Sequence, residues 1–138
     1  MNNLKRFLEA QEITFENAFS EIKNGRKESH WMWYIFPQIA GLGFSYTSKL
    51  FAIKDRAEAE EFLQHPVLGK RLVEISEALL EIEDKTAYQI FGSPDEMKLR
   101  SSMTLFGSLK NTNPVFQKVL DKYYDGAQDQ RTLELLDA

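Results

Sequence analysis

A chain of 138 residues, 43% hydrophobic and 28% charged, is long enough for one compact domain that buries roughly two-thirds of its extended-chain surface. Its net charge of −4 argues against a dedicated nucleic-acid binder, whose footprint is a basic face. The absence of cysteine excludes disulfides, thiolate nucleophiles and thiolate metal sites together. The opening stretch Met1 to Phe7 has no apolar h-region, and no apolar run approaches the roughly 18 residues of a membrane-spanning helix; a soluble, cytoplasmic single domain is expected.

In chain order, Leu4, Phe7 and Leu8 share one face of a short opening turn. Phe15, Ala18, Phe19 and Ile22 repeat at helical spacing in a second segment that Thr14 could cap, and Asn24-Gly25 ends it. The run Ser29-His30-Trp31-Met32-Trp33-Tyr34-Ile35-Phe36-Pro37-Gln38 shows neither alternation nor a helical stripe. It reads as a largely buried segment, helical until Pro37 disrupts it. Gly41 and Gly43 keep the backbone irregular up to Ser45, an N-cap for a turn of helix over 46–51. Asp55 caps a helix over 56–64, and Pro66 suits the first position of the next. Leu68, Leu72, Ile75, Leu79 and Ile82 then step by four, three, four and three, the stripe of an amphipathic helix packed along its length.

Thr86 to Phe91 is a short helix closed by Gly92, and Ser93-Pro94-Asp95-Glu96 reads as a capping box for a helix carrying Leu99, Met103 and Phe106. Asn113-Pro114 restarts the chain for a helix lined by Phe116, Val119, Leu120 and Tyr123, and Asp129 caps a last one carrying Leu133 and Leu136. The β-signals are few. The fold class is therefore mainly α: a single compact multi-helix domain over 1–138, with one irregular aromatic and glycine-rich segment.

That segment is where chemistry is expected. Both tryptophans and one of the two histidines fall in it, and such a run either fills a core or walls a pocket. His30 can act as acid or base, or can be a hydrogen-bonded core residue; His65, before Pro66, assists a helix start. No His-x-x-His or His-Glu-x-x-His spacing is present, so no metal and no cofactor are expected. Gly41-x-Gly43-x-Ser45 resembles a fragment of a phosphate-binding turn, in which glycines let a ligand approach the backbone; tight packing would also demand these glycines. Lys27, Thr47 and Ser48 lie close by in sequence. Lys98, Ser101 and Ser102 share one side of their helix, in the wrong order for a Ser-x-x-Lys nucleophile. Arg71 could clamp a carboxylate or phosphate, or pair with Glu74 or Glu77. Glu28 and Asp95 are the acids nearest these motifs.

Lys27-x-Ser29-His30-Trp31-Met32-Trp33-Tyr34-Ile35-Phe36-Pro37-Gln38, followed by Gly41-Leu42-Gly43-x-Ser45-x-x-Ser48, resembles the signature of the family catalogued as domain of unknown function 1810. The likeness continues in His65-Pro66-x-Leu68-Gly69-x-Arg71-Leu72, Ile90-Phe91-Gly92-x-Pro94-Asp95-x-x-Lys98, Ser101-Ser102-Met103-Thr104-Leu105-Phe106 and Asp129-x-x-Thr132-Leu133, covering nearly the whole chain. Phe15 and Phe51 stand where that pattern has tyrosine. The resemblance implies a small, mainly helical protein with no established activity. The downstream half is similar in layout to the NADAR N-glycosidases, which act on ADP-ribose-type substrates.

Together these features lead to a pocket for a small anionic, nucleotide- or sugar-phosphate-like ligand. Its lining is expected from Lys27, Trp31, Trp33, Gln38, Gly41, Gly43, Ser45, Ser48, Lys98 and Ser101, with His30 as acid–base if the protein is a hydrolase. The other reading is a helical scaffold whose aromatic run is only core. Neither nucleic acid nor a membrane is expected as a partner.

Overall fold

The long stripe does become the centre of the molecule. In a computed structural model describing residues 3–137, nine helices are present among the described residues: α1 (Lys5–Lys23), α2 (Met32–Ile35), α3 (Tyr46–Leu50), α4 (Arg56–Gln64), α5 (Leu68–Glu81), α6 (Ala87–Phe91), α7 (Asp95–Gly107), α8 (Val115–Tyr124) and α9 (Gln130–Asp137). α5 packs against α1, α4 and α8, and α7 against α8, α6, α9 and α4. Leu68, Leu72, Ile75, Leu79 and Ile82 are all buried, each such side chain contributing roughly 1.5–3 kcal/mol of hydrophobic burial. His65 starts this helix by accepting from the Val67 and Leu68 N–H groups at Nδ1. Among the described residues β structure is limited to one parallel bridge between Ile39 and Ile53.

Helix starts follow local chemistry. Ser45, Asp55 and Thr86 accept from the N–H three residues on, and Thr86 with Gln89 forms a full capping box. Two expectations are corrected. The opening turn and the segment after Thr14 are one continuous helix; Thr14 lies inside it, its hydroxyl donating to the Ala10 carbonyl and sharing a hydrogen bond with the Tyr34 hydroxyl. Nor is there a capping box at Ser93: Pro94 precedes α7 without a side-chain cap. The turn is closed by the backbone instead, Glu96 N–H donating to the Gly92 carbonyl. In α9 the buried residue is Thr132, while Leu133 and Leu136 are half-buried.

The aromatic run is half core and half surface. Trp31, Met32, Ile35 and Phe36 are sealed, and Trp31, Phe36 and Phe91 form a ring cluster with centroids 6.0–6.5 Å apart. Trp33 and Tyr34 keep partial access to water. α2 is only one turn long. From its end an irregular segment runs to Ser45, with Phe36 and Ile39 still in the core and the chain reaching the surface at Gly41.

Candidate functional site

The 24–31 connection between α1 and α2 is held by a carboxylate that sequence reasoning passed over. Glu21, on the inner face of α1, is 7% exposed and has no cationic partner among the described residues. It accepts from the Glu28 N–H at 2.7 Å, the Ser29 N–H at 2.9 Å, the Ser29 hydroxyl at 2.6 Å, the Trp31 indole at 2.9 Å and the Asn17 amide at 2.8 Å. Burial by itself would raise its pKa, but bonds from Ser29, Glu28 and Trp31 outweigh that and hold it at about 2. The signal available in the sequence was its register: Glu21 falls three residues after Ala18 and beside Ile22, on the face that packs inward.

From this anchored connection Lys27 reaches α7. Its ammonium lies 2.9 Å from Asp95 Oδ2 and donates to the Ser29 carbonyl at 2.6 Å. Lys98 lies 3.6 Å from the other oxygen of Asp95 and 5.2 Å from the centre of the Trp33 ring. One carboxylate thus takes two lysines, each set over a tryptophan face, Lys27 being 5.1 Å from Trp31.

Beyond Trp33 lies a cavity of about 100 Å³ lined by Trp33, Gln38, Gly41, Gly43, Ser48, Lys49 and Phe51, among others. The bridge between Ile39 and Ile53 fixes one wall, with Ala40 N–H donating to the Ile53 carbonyl and Ile53 N–H to the Gln38 carbonyl, each at 2.8 Å. Ser45 caps α3 and donates to Ser48 Oγ at 2.8 Å. Gly43 is compulsory here, because a Cβ would lie 2.4 Å from that of Ser48. Among the described residues, the Trp33 indole N–H, the Gln38 amide and the backbone N–H groups of Gly41 and Gly43 have no hydrogen-bond partner.

Five of the expected ligand residues, Trp33, Gln38, Gly41, Gly43 and Ser48, therefore line one cavity, and Lys98 flanks it. The others are placed elsewhere. Trp31 is wholly buried with its N–H engaged by Glu21, so it lines no pocket. Ser45 is exposed and serves as a cap. Ser101 donates to Asp129 Oδ2 at 3.0 Å, joining α7 to the start of α9. Lys27 lines a different cleft, beside α6. His30 is exposed and forms no hydrogen bond or ion pair with the described residues. Arg71 lies over Phe15, 5.1 Å from its ring centre, and 3.9 Å from Glu12, and forms no ion pair with Glu74 or Glu77. No group of three potential metal ligands occurs among the described residues, and no helix there is long and apolar enough to cross a membrane.

A groove of about 830 Å³ between the C-terminal ends of α1 and α5 is unsuited to an anion. Glu74, Glu77, Glu81 and Glu83 line it against only Lys23 and Lys85.

The fold is shared. Over 99% of this chain and 98% of the other it is similar, at 42% identity and a TM-score of 0.97, to the crystal structure of the conserved hypothetical protein Rv1873 from Mycobacterium tuberculosis. No curated protein matches the chain. A family model described as protein of unknown function (DUF1810) matches residues 1–136. The chain belongs to that family, DUF1810.

Proposed function

We propose that this protein binds a small anionic ligand, of sugar-phosphate or similar type, and seats its terminal phosphate or carboxylate in the cavity beside Trp33. The observation that carries this reading is the set of unpartnered donors around one small space: the Trp33 indole, the Gln38 amide and the N–H groups of Gly41 and Gly43. Backbone N–H groups in a glycine turn suit an oxyanion, and Lys49 in the lining and Lys98 beside Trp33 supply positive charge. Whole-ligand pockets run to about 300–1,000 Å³, so a cavity of about 100 Å³ admits one terminal group while the rest of the ligand stays outside.

Thermal unfolding in rising concentrations of inorganic phosphate and of ribose 5-phosphate, against sodium chloride at equal ionic strength, tests this. A ligand at about 100 times its dissociation constant stabilises by roughly 2.7 kcal/mol. Gln38→Leu keeps the volume and removes the donor, and should abolish most of that rise. Equal responses in the two proteins, or none in the wild type, would defeat the proposal.

A further inference from the structure

A second concave surface differs from the first in size, charge and ring content. Between the 24–31 connection and α6 lies an open cleft of about 450 Å³, large enough for a whole small ligand. Its charged lining residues are Arg26, Lys27 and Lys85, and no carboxylate lines it, although the chain as a whole carries a net charge of −4. Two of the three cations are held in place. Lys27 has a side chain only 9% exposed and bonds to Asp95 and the Ser29 carbonyl; Lys85 donates to the Gly25 carbonyl at 2.9 Å. The third is free: Arg26 is exposed and makes no ion pair or side-chain hydrogen bond with the described residues.

The same cleft carries an unused aromatic face. Tyr88 is 65% exposed, and neither its ring nor its hydroxyl has a partner among the described residues. Its helix is fixed from beneath, since Ile90 and Phe91 are buried, the Ile90 carbonyl accepts from Lys27 N–H at 2.8 Å, and Phe91 packs on Trp31 and Phe36. Tyr88 is therefore an unpartnered ring on a rigid base. Gly92 closes the cleft with φ at +73°, and nothing lies within 4 Å of where its Cβ would be, so the backbone there is open to a ligand. A guanidinium suits a phosphate in bidentate fashion, and an exposed ring suits a planar base or other aromatic group.

We infer that the cleft formed by Arg26, Lys27, Lys85 and Tyr88 is a binding site for a phosphate monoester carrying a planar ring, the phosphate facing the three cations and the ring lying on Tyr88. This goes beyond the seat beside Trp33, which shares none of these residues. The two are tested separately.

Isothermal titration of the full chain with adenosine 5′-monophosphate, ribose 5-phosphate and adenosine, for the wild type and for Arg26→Gln, Tyr88→Ala and Gln38→Leu, reads the site directly. Arg26 and Tyr88 are both exposed, so their variants should keep the wild-type helical circular dichroism. The wild type should bind the monophosphate more tightly than either fragment. Tyr88→Ala should cost about tenfold or more for the ring-bearing phosphate and leave ribose 5-phosphate within about twofold. Arg26→Gln should weaken the Gln38-independent component of binding of both phosphates about tenfold, and Gln38→Leu should leave a Tyr88-dependent component intact. Absence of wild-type binding to the monophosphate overturns the inference. So does wild-type affinity in both Arg26→Gln and Tyr88→Ala. If Gln38→Leu alone removes binding, the ligand sits beside Trp33: the inference falls and the proposed function stands.

Discussion

Replacing Glu21 by Gln tests whether a single buried carboxylate organises the approach to both sites. Its folded pKa of about 2 lies below the ordinary 4.5, so its ionised form stabilises the fold. Moving a carboxyl that far corresponds to about 3 kcal/mol, at about 1.4 kcal/mol per tenfold change in proton affinity; allowing for water at the edge of the connection, about 2–3 kcal/mol is the working figure. The sign is fixed by the depression: the contribution is complete above pH 4.5 and is lost as pH falls through that value toward 2. The amide introduced by Glu21→Gln would keep one acceptor oxygen, enough for the indole or a backbone N–H but not for all five donors. Urea unfolding at neutral pH should therefore show a loss of about 2–3 kcal/mol, or roughly 6–10 °C in Tm for a chain of this size. The gap between wild type and variant should then narrow steadily on acidification, because only the wild type loses a charge it needs. A variant within about 0.5 kcal/mol of wild type at neutral pH, or a gap that does not change with acid, would refute the argument.

Two glycines should respond in opposite directions to alanine. At Gly69 a Cβ would lie 1.9 Å from the Leu63 carbonyl oxygen, and backbone cannot rotate away. Gly69→Ala should lose at least about 2 kcal/mol in chemical denaturation. At Gly107 the nearest heavy atom would be Phe116 Cβ at 3.5 Å, an ordinary contact, and φ is not left-handed. Gly107→Ala should gain about 0.5–1 kcal/mol by the same measurement. At alkaline pH, burial raises Tyr123 to about 12 and, with Glu96 nearby, raises Tyr124 as well. Both phenols favour the neutral form when folded, so stability should be full below pH 10 and fall as pH rises beyond it. Phenolate absorbance should show two tyrosines resisting ionisation until the helical signal is lost, and ionisation of all five before unfolding would contradict it.

What could be read from the sequence was mostly local. The caps at Ser45 and Asp55, the glycine after α1 and the stripe of α5 each depend on residues within a turn or two of one another, and the period of an amphipathic helix carries its burial with it. Reading failed where the deciding partner lay far along the chain. Thr14 looks like a cap, yet it meets Tyr34 across the α1–α2 contact. Ser101 looks like a site hydroxyl, yet the carboxylate that claims it is 28 residues away. Trp31 and Trp33 were indistinguishable as letters. Their separation follows from their places: Trp31 precedes α2 and turns against Glu21 and the core, while Trp33 lies within that helix and turns toward the glycine segment.

Asp95 shows why the cations can stand where they do. Burying an ammonium without a counter-charge is costly, and the Lys27 side chain is only 9% exposed. Asp95 supplies that counter-charge while lying outside the lining of both concave surfaces. Its second oxygen holds Lys98 near the Trp33 ring. A single carboxylate at the start of α7 therefore pairs with a lysine beside each concave surface without lining either. Two lysines drawn to one acid, with tryptophan faces beneath them, leave a net positive charge between the two concave surfaces.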